Sequence, residues 1–145
     1  MTNVDEQQRD GGTPGSLDPI AFAREAARLA VDLHCEDVRL LDVSGLSQLC
    51  DVILVASGTS DRQMRSVAAE LEALGRTSGF GHFRSTSDPL ETWIVVDFVD
   101  LVAHLFEPGR RSYYDLETLW ADATDIDFDR PGSPEGNVGD GTTGT

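Results

Sequence analysis

The side chains in this sequence whose types and spacing most suggest chemistry, or an anchor for a partner, fall between residues 93 and 120. They are Trp93, Asp97, Asp100, His104, Arg111, Tyr113, Tyr114, Glu117 and Trp120. A histidine inside an apolar run needs either a partner or a function. Nucleophilic catalysis would require a serine or cysteine beside His104 and a third group to orient it, and none can be placed there from the sequence. His104 therefore reads as a half-buried histidine paired with Asp97 across a hairpin, or as an interface residue. Two-metal nucleotidyl transfer would need paired carboxylates on one strand face. Asp97 and Asp100 are spaced by three, so their side chains need not converge. Ser57-Gly58-Thr59-Ser60 lies between an apolar run and a helical pattern, a place suited to an anion. It lacks the Gly-Lys-Ser/Thr ending of a phosphate loop and reads more simply as a helix cap. Asp125-Ile126-Asp127-Phe128-Asp129 alternates acids as a calcium loop does, without the later glycine and glutamate such a loop requires. A solvated acidic tail is the simpler reading. Trp93 with Arg and Tyr nearby has the make-up of a protein–protein anchor. Arg110 and Arg111 open a helix, where their charge opposes the macrodipole, so a role other than helix stability is expected for them.

The elements that must position these groups follow from hydrophobic spacing. Asp18-Pro19 predicts an N-cap and first turn, and the helix should run to about Cys35 with Phe22, Ala26, Leu29 and Leu33 on one face. Residues 38–43 read as a strand. Val52–Ala56 is a continuous apolar run and reads as a strand buried on both faces. Ser60 and Gln63 are placed for a reciprocal capping box, opening a helix through Met64, Val67, Ala68, Leu71 and Leu74 that Gly75 or Gly79 ends. A short edge strand is expected near His82–Arg84, then strands over 93–97 and 101–106. A helix should follow from about Arg111 to Ala123, with Tyr113, Leu116, Leu119 and Trp120 turned to the core. The order α-β-β-α-(β)-β-β-α predicts a single α/β domain, a mixed sheet of about four to five strands packed with helices.

Composition narrows the function. The 145 residues suffice for one domain with a real core. Residues 1–17 and 125–145 are poor in apolar side chains, so both are expected to be disordered, leaving a domain over 18–124. The net charge is −15, from 11 Lys+Arg against 26 Asp+Glu, and every basic residue is an arginine. General nucleic-acid binding requires a basic surface and is not expected, whereas a basic protein partner suits this charge. Cys35 and Cys50 form no zinc or disulfide pattern. With no signal sequence and no long apolar run, a cytoplasmic protein without a membrane span is expected.

Trp93, Asp97, His104, Arg111, Tyr113-Tyr114, Leu116-Glu117 and Leu119-Trp120 together resemble the C-terminal pattern of the ribosomal silencing factor family (RsfS, or Iojap-like). Asp42-Val43, Cys50-Asp51 and Ser57-Gly58-Thr59-Ser60-Asp61-Arg62-Gln63 fit its earlier part, so the similarity spans about 18–123. Two positions depart from the pattern. Ser85-Thr86-Ser87-Asp88 replaces the usual Glu-Gly before the tryptophan, and Val99 stands where a glycine is usual. Because a β-branched residue tolerates positive φ poorly, the 97–100 turn is expected to take another geometry. The resemblance implies a nucleotidyltransferase-like fold without catalytic residues, metal or cofactor. It further implies binding to the large ribosomal subunit through ribosomal protein L fourteen, which blocks joining of the small subunit and represses translation when nutrients are limiting. Assembly of the large subunit is the alternative role, and a degenerate nucleotidyltransferase is the enzymatic one. The contacts expected on this basis are Trp93, Asp97, His104, Arg111, Tyr114 and Glu117, from a monomer or weak homodimer.

Overall fold

The computed structural model describes residues 17–130. Helix α1 (Pro19–Asp32) is followed by strands β1 (Glu36–Asp42) and β2 (Val52–Ser57), then helix α2 (Asp61–Thr77). Strands β3 (Arg84–Ser87), β4 (Trp93–Asp97) and β5 (Leu101–Phe106) come next, then the short helices α3 (Pro108–Tyr114) and α4 (Leu116–Leu119) and the two-residue strand β6 (Thr124–Asp125). The strands form one six-stranded sheet in the order β3-β4-β5-β2-β1-β6. Only β2 and β5 pair in parallel; every other pair is antiparallel. Every residue of β2 is buried, as a strand with neighbours on both sides and helices on both faces must be.

Helices α1 and α2 cover one face of the sheet. Asp18 Oδ1 accepts from the Ala21 N–H at 2.7 Å and Pro19 occupies the first turn, which starts α1 where the sequence predicts. Its buried side is Phe22, Ala23, Ala26, Ala27 and Ala30, and the small alanines let the helix lie close to the strands. Ser60 Oγ accepts from the Gln63 N–H at 3.0 Å and caps α2. The reciprocal half of the expected capping box is displaced by one residue, because Gln63 Oε1 accepts from the Thr59 N–H at 3.0 Å. The same amide donates to the Leu33 carbonyl at 2.9 Å, tying the start of α2 to the end of α1. Met64, Val67, Ala68 and Leu71 then join Leu40, Leu54, Ala56, Val96, Leu101, Ala103 and Leu105 in the main core. Full burial of a side chain such as Leu71 contributes on the order of 2 kcal/mol.

The β4–β5 hairpin closes against α2. Phe98 at its tip is buried, edge-on to Phe22 with ring centroids 5.0 Å apart. A Cβ on Gly75 would sit 2.5 Å from Phe98 Cε1 and 3.0 Å from the Phe80 carbonyl, so this glycine is required by close approach of the hairpin. Gly75→Ala is expected to destabilise the protein by about 2 kcal/mol, read from the urea midpoint. The turn corrects the sequence expectation: Val99 does adopt positive φ, at 79°. The Asp100 N–H donates to the Phe98 carbonyl at 3.0 Å, a γ-turn about Val99. Asp97 Oδ1 accepts from the Val99 N–H at 2.8 Å and holds the strained residue in place. Val99 is 63% exposed and has little packing to lose. Val99→Gly is therefore expected to stabilise the fold by about 1 kcal/mol, seen as a raised Tm.

Two further expectations change. The predicted helix from Arg111 to Ala123 is broken at Asp115, which takes φ 49° and separates α3 from α4. The break shifts the helical phase, leaving Tyr113 and Leu119 exposed while Leu116 and Trp120 pack beneath. The indole N–H of Trp120 is buried with no hydrogen-bond partner among the described residues. The domain also extends past 124. β6 pairs with β1, the Ile126 N–H donates to the Leu40 carbonyl at 2.8 Å, and Ile126 and Phe128 pack on the main core. Arg24 Nε donates to the Asp127 carbonyl at 3.0 Å, and Arg28 donates to those of Phe128 and Asp129 at 2.6 and 2.9 Å. The acidic alternation 125–129 is thus a strap bound across α1 rather than a solvated tail. Leu17 likewise belongs to the fold, packing on the core with its N–H on the Ser78 carbonyl at 3.0 Å. Residues 1–16 and 131–145 of the expected disordered ends lie outside the described residues.

Candidate protein-docking face

The second face of the sheet is only half covered. A small cluster of Leu41, Val43, Ile53, Val55 and Phe106 lies there, packed by Leu116, Trp120, Ala123, Cys50 and Trp93. Alternation along β4 and β5 places Trp93, Val95, Asp97, Val102, His104 and Phe106 on this face, with Ile94, Val96, Leu101, Ala103 and Leu105 turned to α1 and α2. Helices α3 and α4 close the cluster at one side only. Trp93, Val95, Asp97, Val102 and His104 consequently stay partly accessible.

Aromatic rings organise this surface. Trp93 pairs with Phe106 across the strands and stacks on it with centroids 5.1 Å apart and planes 22° apart. Tyr114 approaches the indole at 4.5 Å from α3, and Tyr113 meets Tyr114 edge-on at 5.1 Å. Tyr113 is 73% and Tyr114 45% exposed, so the series of rings runs from the core out to solvent. The backbone that presents Trp93 is held by Asp88, whose Oδ1 accepts the N–H groups of Thr92 and Trp93 at 2.6 and 3.0 Å. These bonds, the Thr92 hydroxyl first among them, lower the Asp88 pKa. Asp88 is a residue that sequence reasoning treated only as a departure from a pattern. Its position five residues before the tryptophan, in a segment otherwise of serine and threonine, was the available signal.

The polar residues expected at this site divide into two groups. Asp97 and His104 share the open face, but they are not hydrogen-bonded to each other. His104 faces Val95 in the register and accepts at Nδ1 from the Trp93 indole N–H at 3.1 Å, while Asp97 faces Val102 and serves its own turn. The expected Asp97–His104 pairing is thereby corrected: the two are diagonal neighbours, but the Trp93 indole takes His104 Nδ1 while the Asp97 carboxylate turns to the Val99 N–H. Burial lowers the His104 pKa to about 4, against the opposing field of Asp97, so the ring is neutral at physiological pH.

Arg111 and Glu117 form the other group, and their charges are turned inward. Arg111 donates from Nε and Nη2 to the two carboxylate oxygens of Glu117 at 3.1 and 2.7 Å, and from Nη1 to Ser57 Oγ at 2.9 Å. Arg111 is 9% exposed. Its three bonds bind α3, α4 and the end of β2 into one unit, and because α3 begins at Pro108 the residue falls in the last turn rather than opposing the helix dipole as expected. Arg39 reaches Glu117 at 3.5 Å from β1 and also holds Asp125 of β6. The hydrogen bonds from Arg111, then the charges of Arg111 and Arg39, lower the Glu117 pKa. Arg110, by contrast, lies outside over the Tyr113 ring at 5.8 Å.

Among the described residues no three His, Cys, Asp or Glu side chains are grouped to hold a metal ion. Cys50 has its thiol pKa raised by burial and then by Asp97, the reverse of nucleophile activation. No helix among the described residues is long and apolar enough to cross a membrane.

Residues 16–142 match the family model described as RsfS, ribosomal silencing factor during starvation. The chain belongs to the ribosomal silencing factor family. It is 36% identical over 105 residues to the ribosomal silencing factor of Bacillus subtilis, covering 71% of this chain and 89% of that one. A crystal structure of a Chromobacterium violaceum protein superimposes with a TM-score of 0.68 at 29% identity, covering 72% of this chain and 88% of the other. The mixed sheet with its helices is thus shared with solved relatives of this RsfS domain. A mouse protein named mitochondrial assembly of ribosomal large subunit protein 1 is 29% identical over 118 residues, where the match spans 50% of that protein. None of these names is that of an enzyme.

Proposed function

We propose that this RsfS chain docks on the large ribosomal subunit through the half-open face of its sheet, meeting ribosomal protein L fourteen there. By occupying that surface it blocks joining of the small subunit and represses translation when nutrients are limiting. The observation that carries the reading is the uncovered aromatic surface Trp93–Tyr114–Tyr113 beside Asp97 and His104 on a rigid sheet. Aromatic anchors on a preformed scaffold are what protein interfaces concentrate their binding energy in. Trp93 and Tyr114 supply the apolar anchors, with Asp97 and His104 as polar neighbours. Arg111 and Glu117 are reassigned to support, since their hydrogen-bonding groups are spent on each other. The net charge of −15 favours a basic ribosomal protein as the contact and disfavours bare RNA. No catalytic step is assigned.

Sedimentation with separated ribosomal subunits tests the reading. The protein should travel with large subunits and not small ones, and saturating protein should prevent the two from joining. Absence from the large-subunit fraction, or unimpaired joining at saturation, would refute it. A second reading, assembly of the large subunit, is favoured by the name of the mouse relative. Accumulation of immature large particles in a deletion strain during rapid growth would select it over silencing.

A further inference from the structure

Trp93 and His104 sit diagonally across the β4–β5 pair, since Trp93 opposes Phe106 and His104 opposes Val95. Diagonal neighbours on one face are within reach of aromatic side chains. The result is a directional bond, Trp93 Nε1–H to His104 Nδ1 at 3.1 Å. An indole has this single donor, and an imidazole accepts at Nδ1 only when neutral with its proton on Nε2. The bond therefore uses the indole's whole hydrogen-bonding capacity within the protein. It also selects one edge of the ring: the contacts with Phe106 and Tyr114 set the plane of the indole, and the bond sets which edge of it faces His104. The burial that keeps His104 neutral keeps the acceptor available.

We propose that His104 is a positioning residue, whose neutral Nδ1 fixes the Trp93 indole in the one orientation that docking uses. This rests on the docking reading above. It departs from the simpler idea that His104 itself supplies a main contact to the partner. A partner would meet the carbon edge of the indole, and specificity would come from ring shape rather than from the N–H.

Substitution at His104, in a Trp120→Phe background where Trp93 is the only tryptophan, tests this. His104→Leu keeps bulk and removes the acceptor, whereas His104→Asn places an oxygen near the lost Nδ1. Leucine should raise acrylamide quenching of Trp93 fluorescence and weaken large-subunit binding by about tenfold. Asparagine should restore both to within about threefold of the His104 parent. In a parallel cycle with Trp93→Phe, which lacks the donor, His104→Leu should add no further loss of binding. Unchanged quenching and binding in His104→Leu would overturn the positioning role. So would His104→Asn that restores quenching but not binding, because His104 would then be a direct contact. If the parent protein fails to bind large subunits, the docking reading falls, while the quenching measurements still decide whether His104 holds the indole.

Discussion

Trp93→Ala is expected to weaken binding to large ribosomal subunits by about thirtyfold or more, roughly 2 kcal/mol, the scale of a central interface anchor. Alanine removes the ring that bridges Phe106 and Tyr114, so the exposed part of the aromatic surface loses its support as well as its centre. The same change also reduces folding stability by about 2 kcal/mol, because Trp93 is half-buried against the second cluster. The two effects separate experimentally. Binding is measured by co-sedimentation at a temperature where urea titration shows the variant folded. Trp93→Phe should recover most of the stability but less of the binding. Wild-type binding by folded Trp93→Ala protein would exclude this residue as an anchor.

Glu117→Ala is expected to cost about 3 kcal/mol of stability, more than the reciprocal change Arg111→Met. The asymmetry follows from who else is present. Without Glu117 the nearly buried Arg111 guanidinium keeps only the neutral Ser57 hydroxyl as partner. Without Arg111, Glu117 is 22% exposed and still has Arg39 at 3.5 Å. Urea midpoints of the two variants check the order, and equal losses would show that burial of the arginine is not the controlling factor. The pair also predicts a pH dependence. The Glu117 pKa is lower folded than unfolded, so its contribution is complete above the ordinary glutamate value of about 4.3 and is lost as pH falls through the folded value. Glu117→Gln should flatten the stability profile in that range. His104 acts in a higher window, because its folded pKa of about 4 lies below the ordinary 6.5 and stability declines between them as pH falls.

Pattern and physics diverge along this chain for identifiable reasons. The continuous apolar run of β2, the caps at Asp18 and Ser60 and the period-2 alternation of β4 and β5 are local signals, and each element lies where they point. The partial exposure of Trp93 is legible from strand phase, but that of Tyr113 is not: the continuous helix expected from Arg111 turns it to the core, and the break at Asp115 leaves it on the surface beside Tyr114. The Arg111–Glu117 bond was not legible as a closed pair. It spans six positions across a backbone break, and that break requires an aspartate in the left-handed region, which no periodicity announces. The partner of His104 depended on strand register, set by the turn at 97–100. That turn was misjudged because Val99 accepts a conformation that branched residues usually avoid, held there by the Asp97 carboxylate. Residues 125–130 were assigned to a tail on composition, yet two alternate apolar side chains are enough to seat them once arginines wait on α1.

That strap has a consequence for how its sequence can vary. Arg24 and Arg28 grip the main-chain carbonyls of Asp127, Phe128 and Asp129, groups that any amino acid supplies. Recognition of this kind reads the path of the chain and is blind to its side chains. The freedom is therefore unevenly shared. Positions 126 and 128 are tied to apolar types by the core, whereas 127 is held to an acceptor only by a local bond, from the Asp129 N–H to Asp127 Oδ1 at 2.9 Å. The anchoring specificity has been moved from the segment that is held to the helix that holds it.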